Sequence, residues 1–146
     1  GNGMHTNLSI TKDGKNQFYG TGAEGLSDSG WSFIDRILTS ANDICLTLNA
    51  SVNAYRRLDP HFEAPNQIKA SPVDRGSMVR IPLGNEKSAR VEVRSVGPDA
   101  NPYMVLYTLL KTGTEGPLTE GVRQTESYLP DNIYTAIDNF RASAYV

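Results

Sequence analysis

Between Trp31 and Leu48, apolar side chains return at Ile34, Ile37, Leu38, Ala41, Ile44, Cys45 and Leu48, the three-and-four spacing of one helix face. Ser27, Asp28 or Ser29 stands where an N-cap belongs, so the pattern predicts one helix running to Leu48. Asn101-Pro102 opens a second apolar run, from Tyr103 to Leu110, closed by Gly113. Leu129-Pro130-Asp131 precedes a third, from Ile133 to Phe140, and both runs predict helices. A different rhythm, alternating apolar and polar with Val and Ile prominent, occupies residues 5–10, 77–81 and 90–94 and predicts strands. The glycine-rich stretches 13–25 and 113–121 read as loops, and there is no internal repeat or low-complexity tract.

The alternation sorts chemistry by face. In Arg90-Val91-Glu92-Val93-Arg94 the charges share one side of the strand and the valines the other. The same rule separates Arg80 from Val79 and Ile81, and His5, Asn7 and Ser9 from Leu8 and Ile10. A sheet with one face on the core and one in water needs nothing more than this. The residue types go further: six of nine arginines lie between Arg56 and Arg94. Arginine, histidine and glutamate are the side chains that hold carboxylates, phosphates and metals.

Length and charge narrow the classes. A chain of 146 residues is one domain's worth, and a net charge of -2 gives no general attraction to nucleic acid or to an anionic membrane. The positive charge is local: Arg57, Arg75, Arg80, Lys87 and Arg94 face Glu63 and Glu92, a surface suited to a polyanion such as a nucleoside triphosphate. His5 and Glu92 could ligate a divalent cation, with further ligands supplied from elsewhere. No P-loop or dinucleotide glycine motif is present. Cys45, the sole cysteine, excludes an internal disulfide and, on an apolar helix face, predicts packing. Arg56, Arg90 and His61 are expected outside the chemistry, and Tyr55, Tyr103 and Tyr107 in the core. No apolar run approaches membrane-spanning length, and position 1 is Gly, so the chain has been processed or is a piece of a longer one.

Four ordered motifs carry a resemblance: G-N-G-M-H from Gly1, N-A-Y-R-R-L-D-P-H-F-E-A-P from Asn53, D-R-G-S-M-V-R-I-P from Asp74, and A-R-V-E-V-R-S-V-G-P-D-A-N-P-Y from Ala89. Together they resemble the C-terminal part of type I bacterial glutamine synthetase, and L-P-D-N-I-Y-T-A-I-D-N-F near the end is similar to that family's C-terminal region. The resemblance implies an α+β fold: a partial, mainly antiparallel, curved sheet from the family's catalytic barrel, with helices on its convex face. It implies that residues 1–146 are the C-terminal portion of the catalytic domain, without the N-terminal β-grasp domain and the strands bearing most acidic metal ligands.

The implied reaction is ATP-dependent ligation of ammonia to the γ-carboxylate of glutamate through γ-glutamyl phosphate, with Mg2+ or Mn2+, in a cytoplasmic homo-oligomeric ring. The remainder of the parent chain and neighbouring subunits complete each site, so the chain alone is expected to be inactive. By motif position, His5 and Glu92 correspond to metal ligands, and Arg75 and Arg80 to phosphate-contacting arginines. Gly1, Arg57, Glu63, Arg75 and Arg94 correspond to the glutamate site, and Asn7, Leu8, Ser9 and Lys87 to the nucleotide side. Glu63 matches the acid that closes the site and takes a proton from bound ammonium; with Arg75 it forms the expected catalytic pair. Many members have histidine where this chain has Asn7, residues 116–129 form a shorter segment than in many relatives, and the N-L-Y-D-L-P adenylylation motif is absent. Two alternatives stand beside this reading: a γ-glutamyl ligase for another amine or polyamine, and a non-catalytic binding or assembly module. An unpartnered sheet edge is also expected, open to strand pairing between copies.

Overall fold

The computed structural model describes residues 2–146. Six short strands and five helices form a mixed α+β fold: β1 Thr6–Leu8, β2 Thr11–Lys12, β3 Lys15–Asn16, α1 Asp28–Thr39, α2 Ala41–Leu48, α3 Val52–Arg57, β4 Gln67–Ser71, β5 Ser77–Arg80, β6 Val91–Val93, α4 Pro102–Glu115 and α5 Ile133–Ala142. Four strands make one sheet in the order β1-β6-β5-β4, antiparallel except for the parallel β4/β5 pair. The sheet does not close. Beyond β4, residues 127–129 continue its edge through Ile68 N–H to Ser127 O at 2.9 Å and Leu129 N–H to Asn66 O at 2.8 Å. β1 has a single strand partner among the described residues.

The expected faces are present. Register aligns Asn7 with Glu92 and Glu92 with Arg80, giving one polar row across three strands. Leu8, Val79, Val91 and Val93 project to the other side and join the helices in one core with Phe33, Ile34, Ile37, Ile44 and Leu109.

Several elements differ from the sequence reading. The helix expected to run to Leu48 is two, with Ser40 ending α1 and starting α2. Just before the break, Thr39 Oγ1 donates to Asp35 O at 2.7 Å and accepts from Thr119 N–H at 3.0 Å, a back-bond that bends helices. Ser27 is the cap of α1, accepting from Gly30 N–H at 3.1 Å. α4 continues past Gly113 to Glu115, because that glycine makes room for a neighbouring ring and does not end the helix. In the stretch read as loop, Asp13-Gly14 takes left-handed φ values of 51° and 75°, the turn that closes a two-residue hairpin between β2 and β3. α3 and β4 were not anticipated: one is a six-residue helix, and the other, Gln-Ile-Lys-Ala-Ser, holds too little Val or aromatic character to signal a strand.

Tyr55 is buried as expected, but Tyr103 and Tyr107 lie on the outer face of α4, 83% and 60% exposed. Cys45 packs in the core, where burial pushes its thiol up to about 11, a reason for it to be inert.

Candidate functional site

The polar face of the sheet leads into a cavity of about 670 Å³ lined by Gly3, His5, Arg57, Glu63, Arg94 and Asp99, among others. Four separate segments supply these groups: the chain before β1, the end of α3, the loop after it, and the chain leaving β6. Residues as far apart in number as Asn2 and Asp99 are thereby gathered around one wall.

Glu92 is the electrostatic centre. Its side chain is 11% exposed and faces His5 Nδ1 at 3.5 Å, Arg80 Nη1 at 3.6 Å and Arg94 Nε at 4.0 Å. Glu92 Oε2 is buried without a hydrogen-bond partner, so the carboxylate is balanced by nearby charge and keeps unused acceptor capacity. Burial holds the His5 imidazole below its ordinary pKa; Glu92 opposes this, while Arg94 and Arg57 add to it. A neutral imidazole next to an unsatisfied carboxylate oxygen is a pair of donors suited to a divalent cation. Among the described residues no group of three or more His, Cys, Asp or Glu side chains converges. The two ligands fit a metal as part of a shell and do not complete one. Gly3 lies against this pair: a Cβ there would sit 3.2 Å from the His5 ring and 3.3 Å from Arg57 Nη1.

The arginines divide by what already occupies them. Arg57 Nη2 donates to Val96 O at 2.7 Å and to Arg94 O at 3.2 Å, tying α3 to the chain beyond β6. With Nη1 and Nη2 directed to carbonyls and Nε buried without a partner, Arg57 sets the position of Arg94 at least as much as it faces the cavity. Arg94 Nη1 donates in turn to Arg75 O at 2.8 Å, which fixes the turn between β4 and β5. Arg75 and Arg80 keep exposed guanidinium groups, 79% and 50%. Glu63, at the far end of the loop, meets Arg75 at 3.5 Å. This exposed pair stands between the first cavity and a second of about 610 Å³ lined by Phe62, Asp74, Arg75 and Tyr128.

The nucleotide-side residues are less tightly grouped. Asn7 Oδ1 accepts from Arg90 Nε at 3.1 Å, so Arg90 acts as its pairing partner. The Leu8 side chain belongs to the core and leaves only its backbone for a ligand, whereas Ser9 is exposed. Lys87 lies on an exposed turn whose conformation is set by Asn85 Oδ1 accepting from Lys87 N–H at 2.9 Å; it lines neither cavity. Gly1 falls outside the described residues. His61 bonds to Asp59 at the surface, at 2.7 Å. Asn2, Asn53, Phe62 and Asp99 line the cavity without having been singled out, as does Arg56, which had been set aside. Only the cap at Ser51, accepting from Ala54 N–H at 3.3 Å, could have announced the helix that brings Asn53 and Arg56 there.

Comparison with known proteins gives one family. Residues 1–144 match the family described as "Glutamine synthetase, catalytic domain". The chain is 43% identical over 117 residues to a glutamine synthetase of Neisseria gonorrhoeae, covering 80% of the chain and 25% of that protein. It is 39% identical over 138 residues to the Thermococcus kodakarensis glutamine synthetase, covering 94% and 30%. With the Staphylococcus aureus protein of the same name it shares 33% identity over 165 aligned positions, covering all of the chain and 37% of the relative. That alignment is longer than the chain, so the relative carries residues that this one lacks. Among solved structures, a Plasmodium falciparum glutamine synthetase superposes with a TM-score of 0.84 over 97% of the chain and 39% of its own, at 19% identity, a likeness of fold. The chain thus spans between 25% and 37% of the length of these curated relatives.

Proposed function

The chain belongs to the glutamine synthetase catalytic-domain family, and we propose that it is the C-terminal portion of that domain, one wall of a site that ligates ammonia to the γ-carboxylate of glutamate at the expense of ATP. The observation that carries this reading is the convergence of His5, Arg80 and Arg94 on Glu92, within 4.0 Å, beside the exposed Glu63–Arg75 pair.

Each group has a physical task. Phosphoryl transfer to a carboxylate spreads negative charge over equatorial oxygens, and Arg75 and Arg80, exposed and uncommitted to backbone carbonyls, neutralise it. Arg94 holds the glutamate carboxylate, with Arg57 fixing its backbone. Glu63 takes a proton from ammonium as the nitrogen attacks the acyl phosphate; its place near the end of a loop suits a group that closes over bound substrate. His5 and Glu92 would hold Mg2+ or Mn2+, which supplies positive charge for the nucleotide phosphates. Asn7, the Leu8 backbone, Ser9 and Lys87 border the nucleotide. Acidic ligands and the rest of the enclosure come from other parts of a longer polypeptide and from neighbouring subunits of a homo-oligomer in the cytoplasm.

The test is glutamate- and ammonium-dependent phosphate release from ATP by the full-length protein. Arg75→Ala should lower turnover by about 10³-fold, the scale of a transition-state arginine. A loss below tenfold would favour a non-catalytic module, and turnover with an amine or polyamine in place of ammonium would move the acceptor assignment. The isolated 146-residue chain should give no such release; if it does, the half-site reading fails.

A further inference from the structure

Glu63 lies in the excursion that leaves α3 at Leu58 and rejoins the sheet at Asn66. Its bonds within the loop are short in range: Phe62 N–H to Asp59 O at 3.1 Å, Ala64 N–H to Phe62 O at 2.7 Å and His61 N–H to Asp59 Oδ1 at 2.8 Å. Packing leaves Phe62 69% exposed and the Glu63 side chain 80%, while Ala64 and Pro65, which lead from Glu63 back to the neck, are buried. The neck is different. Leu58 and Asn66 are both buried, and Asn66 Nδ2 donates to Leu58 O at 3.2 Å, the one side-chain bond described across the base of the loop. Asn66 also accepts from Leu129 N–H at 2.8 Å through its own carbonyl, which ties the neck to the covered edge of the sheet.

We infer that Asn66 is a positioning residue for Glu63: its buried amide closes the neck of the loop and thereby sets where the carboxylate stands relative to Arg75 and the cavity. The inference rests on the functional reading above for its catalytic consequence, and on the hydrogen bond alone for its effect on the loop. An asparagine is suited to this place because Leu58 O is a buried acceptor that needs a donor, and the amide supplies one without charge. A loop joined across its base by this side-chain bond keeps a defined mean position while Phe62 and Glu63 stay free to move, which a closing acid requires.

Asn66→Asp keeps the shape and replaces the donor by an oxygen that repels Leu58 O. In the full-length protein it should lower kcat/KM for glutamate by about tenfold or more, with KM for ATP changed by less than about twofold. Hydrogen exchange of amides 59–65 should quicken in the same variant. In a Glu63→Gln background the further loss from Asn66→Asp should fall below about twofold, because a residue acting through Glu63 has nothing left to position. An equal loss in both backgrounds, or unaltered exchange in the loop, overturns the inference. Asn66→Ser, which keeps a donor in a smaller frame, is measured alongside. If neither variant yields folded protein, Asn66 is a core residue and the positioning role falls. Should the unsubstituted full-length protein make no glutamine, the functional reading fails separately, and the exchange measurement still decides whether Asn66 governs the loop.

Discussion

Gly113→Ala sets helix propensity against packing, with opposite signs. In the last turn of α4 the substitution should stabilise by at most about 1 kcal/mol, because glycine is the costliest ordinary helix residue. An added Cβ would, however, lie 2.2 Å from Cε2 and 2.5 Å from Cδ2 and Cζ of Phe33. Ordinary contacts begin at 3.4 Å, so the ring must retreat by more than about 1 Å in a core packed to crystal density. It has little room. Phe33 is 2% exposed and packs on Phe18, itself 1% exposed, with centroids 5.1 Å apart. Overpacking of this kind costs about 1–3 kcal/mol, and a displacement this large belongs at the upper end. The net expectation is a loss of about 2 kcal/mol, or roughly 6 °C in Tm for a chain of this size. Equilibrium urea denaturation followed by far-UV circular dichroism measures it, and Phe33→Leu in the same chain should recover part of the loss. A Gly113→Ala protein as stable as the parent would refute the packing argument and leave propensity in charge.

Other outcomes follow from the site and its surroundings. Glu92→Gln removes the single negative charge between Arg80 and Arg94, leaving two guanidinium groups facing each other beside the neutral His5 imidazole; stability should fall by about 2 kcal/mol, and less in high salt because Arg80 is half-exposed. An unchanged urea midpoint at low salt would count against that balance of charge. The Asp74 carboxylate is held below its ordinary pKa first by the Lys69 hydrogen bond and then by Gly76 N–H at 2.7 Å. A depressed carboxylate stabilises the fold above its unfolded pKa of 3.8 and loses that contribution as pH falls through its folded value. Asp74→Asn should therefore be less stable than the parent at pH 7, and the gap between the two denaturation midpoints should narrow as pH falls below 3.8; a gap that stays constant with falling pH would contradict it.

The strands were legible because alternation is a local property. Val91 and Val93 must face one way and Glu92 the other whatever surrounds them, and the register that lines Glu92 up with Asn7 and Arg80 kept these polar positions together. The helices were legible in existence but not in extent. Thr39 and Gly113 each acted through a partner distant in sequence, Thr119 in one case and Phe33 in the other, and a local pattern carries no trace of such a partner. α3 is too short to display a period, and β4 lacks the residue types that mark a strand. Tyr103 and Tyr107 show the opposite error: aromatic residues at helical spacing looked like core and lie on the outside of α4.

The arginines show the same division. Residue identity and spacing are enough to place Arg57, Arg75, Arg80 and Arg94 with His5, Glu63 and Glu92 in motifs of one family. They do not determine what each guanidinium touches. Tertiary structure alone directs Arg57 to the carbonyls of Arg94 and Val96, leaves Arg75 and Arg80 exposed, and encloses Glu92 between two guanidinium groups and the His5 imidazole. The reason is physical: a hydrogen bond or ion pair acts within about 4 Å, and only the folded chain brings residues dozens of positions apart to that distance.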